Sequence, residues 1–158
     1  MRKSVIDPVT IHPEQRSEQE WLELEQMAKV EVTSEDPNFP IESALASGKG
    51  RGWRAAEKGK QIIRIIFDKP RPLRRIRLEF SETEIERTQE FTLQWSAESG
   101  GPFRDIVRQQ WSFNPNGSTS EVEDYQVGLD SVSVLELALR PDLTPGIAFA
   151  TLAKWRVV

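Results

Sequence analysis

The sequence predicts an all-β domain, an antiparallel sandwich or barrel of about eight strands preceded by a short N-terminal helix or extension. Three observations carry this. β-branched and aromatic residues recur in short alternating runs, clusters of Pro, Gly and Asn separate the runs, and neither an internal repeat nor a sustained helical period is present. A length of 158 residues with 37% apolar and 29% charged side chains fits one soluble domain with a real core.

The elements follow in chain order. Residues 1–20 form a polar leader containing Pro8 and Pro13, and 21–158 form the single domain. Ser17 and Glu20 have capping-box spacing, which predicts a short helix through Trp21, Leu24, Met27 and Ala28. Val30-Glu31-Val32-Thr33 alternates as a strand, and Asp36-Pro37-Asn38-Phe39-Pro40 ends it, because each proline removes a donor and fixes the backbone. A glycine-rich loop, Ala46 to Trp53, follows. Gln61 to Phe67 is apolar on both faces apart from Arg64, as a strand buried between layers would be. Lys69-Pro70-Arg71-Pro72 predicts a turn, and Arg75 to Phe80 alternates with Ile76, Leu78 and Phe80 inward. An acidic loop from Ser81 to Glu90 leads into the alternating Phe91 to Trp95. Ser99-Gly100-Gly101-Pro102 is a turn signal before a strand from Phe103 to Phe113, and Asn114 to Ser118 is loose. The last strands predicted are Val132 to Leu139 and Ala148 to Val157, separated by breakers at Pro141 and Pro145-Gly146.

Composition excludes much chemistry. The chain has no cysteine, so disulfides, thiol catalysis and cysteine-ligated metals are ruled out. Its one histidine, His12, sits in the leader and makes a poor general base. Glu82, Glu84 and Glu86 could suggest a glycosidase carboxylate pair, but alternating acids in a turn region read better as a solvated edge. The expectation is a domain that is not an enzyme and needs neither metal nor cofactor. The basic N-terminal residues are followed by no apolar stretch, so the expectation is a cytoplasmic protein without membrane insertion. Asn116-Gly117-Ser118 fits a glycosylation sequon but reads as an ordinary turn.

The net charge of −4 is unevenly placed: residues 49–77 hold 11 basic and 2 acidic side chains, and the remainder holds 10 basic and 23 acidic. A partner meeting only the central segment would meet a cationic surface. The alternative is that folding brings acidic neighbours to these outward-facing positions.

Ala28 to Glu35, Pro40 to Leu45, Gly52 to Ala56, Gln61 to Phe67, Pro72 to Leu78 and Ala150 to Val157 together resemble the discoidin family. This family, also called coagulation-factor type C or galactose-binding-like, includes many bacterial carbohydrate-binding modules. The resemblance covers roughly residues 28 to 157 and implies an eight-stranded jelly-roll sandwich with its ligand site on loops at one end. Many members hold a calcium through an Asp before the glycine of the second loop and a Glu in the closing strand. Here those places read Ser47 and Lys154, which implies no calcium.

The leading functional expectation is therefore a non-catalytic module binding carbohydrate or another small polyhydroxylated ligand. Sugar recognition needs an aromatic ring and planar polar groups, which Glu35, Asn38, Phe39, Arg51, Trp53 and Arg54 offer around two neighbouring loops. Trp111 is a further ligand candidate, whereas Trp95 and Trp155 fall inward by alternation. The alternative is an intracellular domain using the basic segment to bind a protein partner or nucleic-acid ends, with Lys49, Arg51, Arg54 and Lys58 on phosphates. Gly52 to Gly59 is similar to a stretch in the N-terminal domain of the X-ray repair scaffold protein, which supports that alternative.

Overall fold

The computed structural model describes residues 21–48 and 50–158. The leader, its capping box, His12 and Lys49 lie outside the described residues. The described chain runs α1 (Leu24–Met27), β1 (Ala28–Val32), α2 (Glu42–Leu45), β2 (Trp53–Lys58), β3 (Gln61–Ser81), β4 (Arg87–Ser96), β5 (Arg104–Phe113), β6 (Ser120–Arg140), β7 (Phe149–Leu152) and β8 (Lys154–Val157). The eight strands and short helix agree with the predicted class.

Two strands of 21 residues, β3 and β6, pair antiparallel along their length and form the frame. Their first section, Gln61–Ile66 against Val134–Leu139, lies in one layer, with β1 beside β3 and β4 then β5 beyond β6. The other section, Arg75–Ser81 against Ser120–Gln126, has β8 at its side. The register shifts fall between Ile66 and Arg75, where the ribbon bends from one layer into the other. Contacts across the layers show the closure: the rings of Phe80 and Phe91 stack with centroids 5.3 Å apart. The chain thus changes direction where Pro70 and Pro72 predicted a turn, but the strand continues through the bend. Neither proline is a paired register position, so its missing donor costs no ladder hydrogen bond.

The core between the layers is filled by the alternating inward side chains, with Ile63, Ile65, Leu73, Ile76, Leu78, Phe91, Leu93 and Trp155 fully buried. Burying such chains contributes on the order of 2 kcal/mol each. Trp95, expected in the core, is only partly buried and carries Arg104 5.7 Å above its ring.

Two strand segments differ from the sequence pattern. β2 reads as a loop because Arg-Ala-Ala-Glu-Lys has little β propensity. It is held instead by pairing with β7 and by Ser34 Oγ, which accepts from the amides of Ala56 and Glu57. The first half of β6 reads as polar because its inward face begins with acids: Glu121 is buried opposite Phe80 while Val122 is 49% exposed, and only from Tyr125 through Val127 and Leu129 does that face turn apolar. Glu121 Oε1 accepts from Gln89 Nε2 at 2.8 Å, a second tie between the layers.

Arg156 on β8 is buried and reaches the end of α2, donating from Nη1 to Ala44 O at 2.9 Å and from Nη2 to Ala46 O at 2.6 Å. A guanidinium therefore satisfies carbonyls that a one-turn helix leaves without partners. The residues here do not fit the calcium that many members of the resembled family hold. Ser47 is exposed and brings no carboxylate, and two carbonyls of this loop already hold a guanidinium. The closing-strand cation on this loop is Arg156, two residues beyond Lys154, which instead lies opposite Glu79.

Two outcomes test these ties. Arg156→Met leaves buried carbonyls unsatisfied and lowers stability by about 2 to 3 kcal/mol, a drop of roughly 5 to 10 °C in Tm; a chelator leaves the wild-type Tm unchanged. Burial, with the neighbouring Glu123 carboxylate, pushes the Glu121 carboxyl up to about 7 against the pull of Gln89 and Arg87. A carboxyl raised in the folded state favours folding when protonated, so its contribution is lost as pH rises from about 4.5 to about 7. Glu121→Gln is expected to stabilise the domain by about 2 kcal/mol at pH 8 and by much less at pH 5, as read by denaturant melts at both.

Candidate functional site

Four chain segments meet at one end of the sandwich: the loop after β1, the glycine-rich entry to β2, the loop between β3 and β4, and the entry to β7. Local hydrogen bonds set the first. Glu35 accepts from the amide of Ile41 at 2.6 Å, and Asp36 accepts from that of Asn38 at 2.9 Å. The loop is then laced to β2, with the Asp36 amide donating to Arg54 O and the Arg54 amide to Phe39 O. Gly52 is obligatory at the strand entry: its φ is +82°, and a Cβ there would come within 2.7 Å of Leu152 O.

The resulting groove has two compartments. The smaller, about 210 Å³, is lined by Phe39, Arg51, Trp53, Arg54, Ser81 and Thr151 to Ala153. The larger, about 400 Å³, is lined by Arg54, Lys58, Ser81 to Ile85, Ile147 to Phe149 and Thr151. Arg54, Ser81 and Thr151 border both. Two guanidiniums rest on aromatic rings, Arg51 at 4.4 Å from the Phe39 centroid and Arg54 at 4.9 Å from that of Phe149.

Of the sequence candidates, Phe39, Arg51, Trp53 and Arg54 are brought together. Trp53 is 1% exposed and donates its indole N–H to Ser34 O at 3.1 Å, so its ring belongs to the core and offers no stacking face. Glu35 braces the loop, and Asn38 is exposed at its tip, outside both compartments. Trp111 lies elsewhere, on β5 opposite Gln89, with its indole N–H donating to Ser118 Oγ. The sequence pattern did not point to Phe149 or to Ile147, which is 70% exposed. The one signal was an apolar pair straight after the breakers Pro145 and Gly146, and it reads equally well as the start of a core strand.

Beneath the groove, Arg87 has a fully buried side chain. It donates from Nε to Glu82 at 2.7 Å and from Nη1 to Pro141 O at 2.8 Å, with Nη2 3.4 Å from Thr151 Oγ1 and its guanidinium 4.8 Å from the Phe113 centroid. Burial opposes ionisation of Glu82, but Arg87 and the amides of Glu84 and Ile85 together hold its carboxyl below the usual range. Glu82 is therefore a structural carboxylate, while Glu84 and Glu86 are exposed, as a solvated edge would be.

No family model matches the chain, and no curated protein does. Solved structures do. The family 32 carbohydrate-binding module of C. perfringens NanJ, in complex with galactose, matches at 16% identity and TM-score 0.61 over 87% of this chain and 96% of that one. The family 32 module of AlyQ, in complex with 4,5-unsaturated mannuronic acid, matches at 11% identity and TM-score 0.61, over 84% and 95%. A third such module, from a family 31 glycoside hydrolase of Clostridium perfringens, matches at 15% identity and TM-score 0.64, over 90% and 96%. The chain therefore has the galactose-binding-like, or discoidin, jelly-roll fold of these modules.

Proposed function

We propose that this domain is a non-catalytic carbohydrate-binding module whose ligand lies in the groove running from Arg51 to Ile147. The observation that carries the reading is the makeup of the groove, which sits on loops at one end of a sandwich shared with sugar-binding modules. Planar donors rest on aromatic rings and an exposed aliphatic chain stands beside them, matching the hydroxyl edges and C–H faces of a sugar. The sugars bound by the similar modules differ, so the ligand here has to be argued from the lining.

The alternative use of the basic segment is not favoured. Arg64 pairs with Glu136 at 2.6 Å, and Arg75 and Arg77 pair with Asp124 at 2.6 and 3.6 Å. These cations are neutralised on strand faces and do not extend the groove into a continuous basic surface.

A glycan array followed by calorimetry on the best binder tests the proposal. Ile147→Ser and Arg54→Ala are expected to weaken binding about tenfold, or about 1.4 kcal/mol, with Tm preserved. Trp111→Phe is expected to leave affinity unchanged. Absence of glycan binding, or full affinity in Arg54→Ala, would sink the reading.

A further inference from the structure

The acids and bases lining the groove are unequally used. Glu82 is occupied by Arg87 and by the amides of Glu84 and Ile85, which leaves Glu84 as the remaining carboxylate of the wall. Arg51, Arg54 and Lys58 enter no ion pair and no side-chain hydrogen bond among the described residues. An aromatic face positions a guanidinium but gives its N–H donors no oxygen to bind. Two such forks, fixed on Phe39 and Phe149 and joined by Lys58, hold more positive charge than Glu84 offsets. A neutral sugar makes poor use of this wall, because hydroxyls accept hydrogen bonds without neutralising the charge. A planar carboxylate matches a guanidinium fork in both geometry and sign.

We propose that the groove selects an acidic saccharide, a glycan whose sugar rings carry carboxylates. This rests on the carbohydrate-binding reading and names the ligand class for the same site. One carboxylate sits at Arg54, which borders both compartments, and Arg51 and Lys58 receive its neighbours along the chain. Ile147 packs against a ring face in the larger compartment. The ligand is a saccharide rather than a nucleic acid because the cations line two small compartments, while the chain outside residues 49–77 is strongly acidic.

The experiment is calorimetric titration of the whole chain with a panel of uronate oligosaccharides, each paired with its carboxyl-reduced neutral counterpart. Dextran sulfate, polyglutamate and duplex DNA serve as polyanion controls. Binding of at least one uronate series is expected, about tenfold or more tighter than its neutral counterpart and weakening with salt. Arg51→Gln and Arg54→Gln should each weaken it about tenfold. Arg54→Lys, which keeps the charge and loses the fork, should fall between wild type and Arg54→Gln; it also serves as the test if melts show that Arg54→Gln does not fold. Equal affinity for the neutral counterparts, or binding to neutral glycans alone, overturns the acidic preference and leaves the carbohydrate-binding module standing. Equally tight binding to polyglutamate, dextran sulfate or DNA overturns it as unselective polyanion attraction. Silence toward every glycan, acidic or neutral, overturns both readings.

Discussion

Everything in this fold depends on one constraint: the two longest strands must bend together. Both strands need ladder partners on either side of the corner, so β3 and β6 pair again at Arg71 with Val132 and Leu73 with Leu129 and take up the mismatch as register shifts. Because the same ribbon runs through both layers, most of the remaining strands build out from its sides, while β2 and β7 form a separate two-stranded sheet. β1, β4 and β5 extend one layer and β8 the other. The loops at the end away from the bend carry the groove together with β2 and β7, where Arg54 pairs with Thr151 and Lys58 with Phe149. Their geometry comes from side-chain and loop hydrogen bonds, with Ser34, Glu35 and Asp36 accepting amides that no strand would satisfy.

Two buried arginines hold that framework where a hydrophobic core cannot. Arg156 ties the closing strand to the carbonyls after α2, and Arg87 ties the β3–β4 loop to the carbonyl of Pro141 and the hydroxyl of Thr151. Each guanidinium has several acceptors in fixed directions, the condition under which a buried charge is tolerated. The arrangement gives the chain internal cations made of protein. The same end of the sandwich holds the inward Glu121 and Gln89, so polar pairing continues across the layers beyond the last aromatic contact.

The excess of basic residues between 49 and 77 resolves into separate roles. On the strands, Arg64, Arg75 and Arg77 meet acids from β6, a partner distant in sequence. At the loop end, Arg51 and Arg54 meet aromatic rings instead. The site was legible to the extent that Phe39, Arg51 and Arg54 sit in flanking loops with turn residues between them. Trp53 was misleading because a tryptophan beside a glycine-rich loop has the same local signature whether its ring faces solvent or core. Phe149 was invisible because it comes from a strand almost a hundred residues later, and pairing between β2 and β7 brings it under Arg54.

By itself the sequence determined the fold class and most strand positions, since alternation in β1, β4 and the two ends of β3 reports directly which side chains share a face. Its breakers also marked the bend and the loops, and its lack of cysteine removed whole classes of chemistry. Tertiary structure decided what alternation cannot express: which layer each face meets and what covers it. That is why Glu121 lies inside and Val122 outside, why Pro70 and Pro72 bend a ribbon without ending it, and why Arg156 is buried on the carbonyls of Ala44 and Ala46. Burial and charge pairing depend on partners far apart along the chain, and only the folded ribbon brings those partners together.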